Sequence, residues 1–431
     1  LGGHIPNRQV HCAALKIPAI DKFAEFLGDY AGRDMSTTMV MVRLLSTLLK
    51  RSELGRYVVP IVPDEARTFG MDGLFKVAGI YSPEGQKYRP VDADSLLPYR
   101  EAADGQILQE GICEVGAMAS FMAAGSAYAV HGLPMIPFYI FYSMFGFQRV
   151  GDMIWSCGDM MCKGFLLGGT AGRTTLNGEG LQHQDGHSHI LASTVPNLRS
   201  YDPAFGFEIA ALVREGMHQM YELQEDVFYY LTLYNENYPM PSLVEIAEQT
   251  QVDEGEVLQG VIDGGYCFYR GSDRTECSVH ILASGSIMQQ ALLARDALED
   301  LGVGVCIWSI TSFVELQRDA LACQQHNRDN PQAEARVSRL ERMFQGETGV
   351  FIAVTDYMAA LAQGVAAWMP PNFEVLGTDG YGLSESRTRL REHFSVDAMA
   401  VAEGALSALY RHGLLDQSKF ESAMHGVRGS K

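Results

Sequence analysis

No Cys-x-x-Cys pair occurs among the eight cysteines of this chain, and nothing near Cys157 and Cys162 completes a zinc knuckle. The cysteines are scattered, and several sit in apolar runs, as Cys306 does in residues 303–308. That usage fits a reducing compartment with thiols acting as small hydrophobes. Basic residues are few. The 33 Lys and Arg against 52 Asp and Glu leave a net charge of -19, which argues against nucleic acid or an anionic membrane surface as partner. No uncharged apolar stretch is long enough to span a bilayer, and no signal peptide is visible. A cytoplasmic protein is expected. There is no Walker or Rossmann fingerprint, no strict internal repeat and no low-complexity segment. The chain starts at Leu1 rather than Met, so a processed or truncated polypeptide is expected.

Against these absences stands a large supply of core. The 431 residues are 47% apolar and 20% charged, an ordinary globular balance for two or three domains. The most informative stretch is 172–189, Gly-Arg-Thr-Thr-Leu-Asn-Gly-Glu-Gly-Leu-Gln-His-Gln-Asp-Gly-His-Ser-His. It has no apolar periodicity, so it is neither a core helix nor a buried strand. Its glycines allow tight folding and close approach to a ligand, and its histidines and acids move protons near neutral pH. It reads as an active-site loop.

Around it, strands and helices alternate. Ser36 is a plausible N-cap, with Val40, Met41, Leu44, Leu45 and Leu48 at helical spacing behind it. Residues 57–62 form a buried strand candidate with Asp64-Glu65-Ala66-Arg67 at its carboxyl end, where ligands bind in open α/β sheets. Residues 82–105 read as a long mobile loop. A buried helix is expected over 110–130 and a solvated helix over 324–343. Strands are expected at 106–108, 165–168, 227–233, 279–284, 303–308, 350–355 and 373–376. The pattern implies an α/β protein with a mainly parallel sheet covered on both faces, and a second, smaller α/β domain beyond residues 238–255.

Several residues are candidates for chemistry. Glu114 lies in the first turn of an apolar helix. The helix dipole alone favours a carboxylate there, and a buried Glu also shares a proton with a ligand nitrogen. His183, His187 and His189 are open to three readings: metal ligands, ordinary hydrogen-bonded histidines, or acid–base and orienting groups. Two Gly and an Asp in this run oppose the single helix that the first reading needs. Glu179 beside them is either a structural partner or a substrate contact. Asp64-Glu65-Ala66-Arg67, taken alone, reads best as a surface ion-pair cluster. Tyr139, Tyr142, Phe145 and Phe147 form an aromatic cluster of the kind more often found in cores.

These motifs together resemble, over nearly the whole chain, the last two domains of the homodimeric pyruvate dehydrogenase first component, a family that decarboxylates pyruvate with thiamine diphosphate. The matching segments are 64–70, 106–112, 134–151, 172–189, Asn235-Glu236-Asn237-Tyr238, Thr311-Ser312-Phe313 and Gly377-Thr378-Asp379-Gly380. The resemblance implies an arm over 1–35, a transketolase-like pyrimidine-binding domain over 36–243 and a transketolase C-terminal-type domain over 244–431. It implies that Glu114 holds the aminopyrimidine nitrogen of the cofactor and promotes the tautomer that activates it. Phe145 then stacks on the pyrimidine, and Ile112, Asp64 and Arg149 complete the pocket. Tyr142, Glu179 and His183 orient substrate and handle protons. The acetyl unit passes to a lipoyl group on the dihydrolipoyl acetyltransferase component, and a second copy of the chain is a partner. An apolar pocket favours loss of CO2 from a charged carboxylate. A mobile loop at 82–105 suits a lid that admits a lipoyl arm.

The chain also departs from that family. The domain with the Gly-Asp-Gly…Asn motif, which binds Mg2+ and the diphosphate, is absent from this sequence, as is the loop with a further catalytic His. Lys163 stands where relatives usually have Arg, and Cys113 replaces an expected Asn. Related alternatives are another small 2-oxoacid such as 2-oxobutyrate, transketolase-type ketol transfer, and an inactive fragment that only dimerises.

Overall fold

The computed structural model describes residues 12–64, 66–177, 180–271 and 278–429. The first half carries β1 (Val58–Val62), β2 (Ile80–Tyr81), β3 (Glu101–Ala102), β4 (Leu108–Gln109), β5 (Ile136–Tyr142), β6 (Phe165–Gly169), β7 (Leu198–Tyr201) and β8 (Phe228–Thr232). The second half carries β9 (Tyr266–Arg270), β10 (Val279–Ala283), β11 (Val305–Ser309), β12 (Val350–Val354) and β13 (Phe373–Leu376). Six strands form one sheet in the order β4-β1-β5-β6-β8-β7, every pair parallel. Five form a second in the order β13-β12-β10-β11-β9, parallel except for β9. β2 and β3 pair separately. The chain therefore adopts the expected α/β class.

The reason lies in the strands. β1, β6, β8, β10, β11 and β12 are each buried at all five positions. Such runs need cover on both faces, which helical crossovers between parallel strands provide. Pro60 sits inside β1 without breaking the sheet. β4 reaches only Ile61 and Val62, so β1 is an edge at Pro60 on that side, a position that tolerates the missing N–H. One apolar core runs from Ile17 to Val427 through both sheets, and a smaller one gathers around Trp308, Phe344 and Phe351.

The helix Thr37–Leu49 begins as its cap foretells: Ser36 Oγ accepts from the Met39 N–H at 3.2 Å, and Val40, Met41, Leu44, Leu45 and Leu48 are buried. Other expectations need correction. The helix expected over 110–130 is two, Glu114–Gly125 and Ala127–His131. Ser126 turns its hydroxyl back to the Met122 carbonyl at 2.8 Å, a local bond that competes with helix continuation. Only one face of the first helix is buried, through Ala117, Met118 and Phe121, and Val115 is 55% exposed. The helix expected over 324–343 is the end of Phe313–Asp329 followed by a separate helix, Arg339–Met343. Asn330-Pro331 stops the first, because proline cannot continue it. The segment 82–105 is anchored at its centre. Arg67 pairs with Asp92 and donates to the Leu97 carbonyl, and Asp92 accepts from the Tyr99 N–H. Cys12, Cys113, Cys157, Cys162, Cys267 and Cys323 are free thiols, and Cys157 and Cys162 are buried. Among the described residues no helix is long and apolar enough to cross a membrane.

Candidate active site

Four neighbouring strands of the large sheet deliver their carboxyl ends to one place. Asp64 follows β1. Gln109 ends β4 and leads through Gly111 to Ile112 and Glu114. β5 ends at Tyr142, where the helix Ser143–Asp159 starts and carries Phe145 and Arg149. β6 ends at Gly169 and opens into the glycine-rich loop that reaches His183. Asp64, Ile112, Glu114, Tyr142, Phe145, Arg149 and His183 line a single cavity of about 370 Å3, with Pro63 and Gln182. Glu179, the remaining candidate, lies outside the described residues. Size does not single this cavity out, since one of about 420 Å3 opens beside Phe205 and Phe268. Its place at the strand ends and its chemistry do.

Glu114 is the first residue of its helix, and its side chain is only 13% exposed. The Arg149 guanidinium donates to Glu114 Oε1 at 2.6 Å and lies 3.8 Å from the centre of the Phe145 ring. The helix N-terminus and the arginine both present positive charge to the Glu114 side chain, while the aromatic face holds the arginine. Cys113 takes the N-cap position, its sulfur accepting from the Gly116 N–H at 3.3 Å. The hydroxyl of Tyr139 donates to the Glu114 carbonyl at 3.3 Å. Asp64 accepts from Gln109 Nε2 at 3.3 Å.

The aromatic cluster divides. Tyr139 is fully buried core, and Phe147 packs on Tyr230. Tyr142 and Phe145 face the cavity and meet His183, with ring centres 5.0 Å and 5.1 Å from it. The histidines divide too. His187 Nε2 lies 2.7 Å from Gln148 Nε2. His189 is buried between Ser200 Oγ at 2.6 Å and Thr232 Oγ1 at 2.9 Å, and burial lowers its pKa. They occupy three separate environments, which is not the arrangement of a shared metal ion. Among the described residues no group of three or more His, Cys, Asp or Glu stands where it could hold one. Lys163 is remote from this cavity: it is buried, and its Nζ donates to the Met220 carbonyl at 2.8 Å.

The loop is held from the second sheet. It starts in strained backbone: Thr170, a β-branched residue, has φ 50°. Asp356, just past β12, then accepts from the Thr174 N–H at 2.8 Å and Thr174 Oγ1 at 2.6 Å. It also accepts from the Thr175 N–H at 3.2 Å and Thr175 Oγ1 at 2.7 Å. Arg173 donates to the Thr378 carbonyl at 2.6 Å. Gln184 and Leu383 exchange two hydrogen bonds at 2.9 and 2.8 Å.

Burial pushes the Asp356 carboxyl up from 3.8 to about 6, against the pull of these donors and Arg391. A pKa raised on folding contributes stability that is complete below about pH 3.8 and is lost as pH rises through about 6. The contribution is on the order of 3 kcal/mol. Urea unfolding of Asp356→Asn, which cannot titrate, is therefore expected to show a larger deficit against the wild type at pH 4 than at pH 7.5, by about that amount. Equal deficits at the two pH values would remove the titration from Asp356.

Pro63 and Gln182 were not singled out from sequence, although Gln182 lies in the glycine-rich run. The Asp356 anchorage carries no local signal at all, since its partners are some 180 residues away.

Comparison with known proteins places the chain. Residues 15–241 match the pyruvate dehydrogenase E1 component middle domain, and residues 264–397 the transketolase-like TK C-terminal domain. The chain is 49% identical over 415 residues to the pyruvate dehydrogenase E1 component of Pseudomonas aeruginosa, covering 96% of this chain and 46% of that protein. It is 46% identical over 427 residues to that of Cupriavidus necator, covering 98% and 47%. A solved transketolase from Campylobacter jejuni superposes with a TM-score of 0.63 at 18% identity, over 90% of this chain and 49% of that one. That likeness speaks for the fold alone. The chain spans about half the length of the curated relatives it matches. With one domain model covering more than half of its residues and close relatives covering nearly all of them, the chain belongs to the pyruvate dehydrogenase E1 component family.

Proposed function

We propose that the chain forms part of a thiamine-diphosphate-dependent oxidoreductase that decarboxylates pyruvate and transfers the acetyl unit to a lipoyl group on an acyltransferase component. The observation that carries this reading is the pairing of Glu114 with Phe145 in one cavity at the carboxyl ends of the strands. An aminopyrimidine needs a carboxylate for its ring nitrogen, an aromatic face and apolar walls. Glu114, Phe145 and Ile112 are those groups, and all three line the cavity. When bound, thiamine diphosphate supplies the carbon nucleophile and the electron sink for loss of CO2.

The chain's own residues do the rest. Glu114 holds a proton at the pyrimidine nitrogen, and Arg149 keeps the carboxylate oriented between turnovers. Ile112 and Asp64 line the pocket beside Phe145, and Tyr142 orients substrate. His183, wedged between Tyr142 and Phe145, moves a proton at the substrate oxygen, with Glu179 as its companion in the loop. The diphosphate and its Mg2+ ion fall to a domain outside residues 1–431, and a second copy of the chain completes the site. In this reading residues 1–35 are an arm, 36–243 the pyrimidine-binding domain and 244–431 the C-terminal domain of a cytoplasmic enzyme.

The test assays the complete enzyme for CO2 release from pyruvate or 2-oxobutyrate, and for ketol transfer from xylulose phosphate to an aldose phosphate acceptor, each with and without thiamine diphosphate. Cofactor-dependent release from pyruvate supports the reading, and ketol transfer from the sugar alone would replace it. Within it, His183→Ala is expected to lower kcat/KM for pyruvate by about 10²-fold, the scale of a lost proton-transfer group. Cofactor affinity should shift far less, and an equal loss of both would contradict the role of His183.

A further inference from the structure

We infer that Asp356 is a positioning residue: from the second sheet it sets the path of the loop that carries His183 into the cavity, so the second half of the chain takes part in the chemistry without touching substrate. The inference deepens the proposed function and rests on it only for its activity arm. Both carboxylate oxygens are used, and all four donors come from the loop itself. The carboxylate is fully enclosed, with Asp356 1% exposed and Thr174 at 0%. A buried carboxylate must be satisfied by its neighbours, so the loop cannot leave without stranding it.

The fit is steric as well as polar. A Cβ on Gly172, where φ is +86°, would lie 2.1 Å from Asp356 Oδ2. A Cβ on Gly382 would lie 2.1 Å from Gln184 Oε1. Both positions accept only glycine at this separation. The charged neighbours act in the same direction. Arg387 Nε donates to the Thr175 carbonyl at 2.6 Å, and Arg391 Nη2 reaches Thr175 Oγ1 at 3.5 Å while pairing with Glu236. Tyr234, from the end of β8, closes the remaining side next to Gly172. At the far end of the loop the Gly186 carbonyl accepts from the Met358 N–H at 2.8 Å, two residues beyond Asp356. The loop leading to and from His183 is thus fixed at both ends by one short segment, 356–358.

The test compares Thr174→Val, which removes one donor at nearly constant volume, with Thr174→Ser, which restores it, in the complete enzyme. In Thr174→Val, amide hydrogen exchange over 173–176 is expected to rise about tenfold, the loss of one hydrogen bond to a charged group. Exchange in the helix Glu114–Gly125 should stay as in the wild type. In the same variant kcat with pyruvate should fall about tenfold while the dissociation constant for thiamine diphosphate stays within about twofold. Thr174→Ser should recover both readouts. Asp356→Asn should loosen the same amides. Unchanged exchange in Thr174→Val, or faster exchange with unchanged kcat, would overturn the inference. Faster exchange in an enzyme that never turns over pyruvate, even as the wild type, would overturn the proposed function and leave Asp356 as the anchor of the loop.

Discussion

Glu114→Gln in the complete enzyme is expected to lower turnover of pyruvate by about 10²–10³-fold, the scale of a lost acid–base group, with the fold unchanged. The amide has the size of the acid, so the first turn of the helix Glu114–Gly125 keeps its packing. What it loses is the charge paired with Arg149 at 2.6 Å and the capacity to hold a proton for a ring nitrogen. The arginine keeps the Phe145 face beneath it, so the pocket is not expected to collapse. Cys113 caps this helix through a sulfur, a weak acceptor, and keeps that role in the variant. The checks are CO2 release from pyruvate and far-ultraviolet circular dichroism of both proteins. Turnover within a factor of two of the wild type would sink the assignment.

How much of this was readable before the structure depends on where the information lies along the chain. The buried strands were legible because each is a short apolar run between polar turns, and the cap at Ser36 is a local motif. Of the cavity residues, Glu114 and His183 stood out by residue type and setting, the latter because the glycine-rich loop is unlike any core segment, whereas Asp64, Tyr142 and Phe145 read alone as an ion-pair cluster and core aromatics. The roles of Glu114, Phe145 and His183 rest on the resemblance of motifs, which no periodicity supplies. What failed involved choices that tertiary contacts decide. An alanine- and methionine-rich helix looks buried from composition, yet Val115 is 55% exposed. Ser126 ends that helix through one side-chain bond that competes with ordinary helix geometry. Three histidines in one run look equivalent, yet one lines the cavity, one meets Gln148 and one is sealed in the core. The edge strands β7 and β9 went unread, because β9 runs antiparallel to β11 and both are only partly buried.

The junction of the two sheets yields the largest expected effect on stability. Glu208 is fully buried in the first turn of the helix Gly206–Met217. Its Oε2 accepts from the N–H groups of Ala204 at 2.5 Å and Phe205 at 3.1 Å, and its Oε1 from the hydroxyls of Tyr266 and Ser309, both at 2.7 Å. One carboxylate therefore ties a helix of the first sheet to β9 and β11 of the second. Glu208→Ala would strand four buried donors and leave a void where the side chain was, so a loss of about 3–5 kcal/mol is expected. Burial raises the Glu208 carboxyl above its ordinary value despite these donors. By linkage its contribution is fullest at acid pH and is lost as pH rises through the folded pKa. Glu208→Gln, which keeps the volume but cannot titrate, should therefore trail the wild type most at low pH and close the gap as pH rises. Urea unfolding of the three proteins at pH 4.5 and 7.5 separates these effects, provided the slope with denaturant is unchanged. A cost below about 1 kcal/mol for Glu208→Ala would show that Glu208 adds no more to the junction than a single ordinary hydrogen bond.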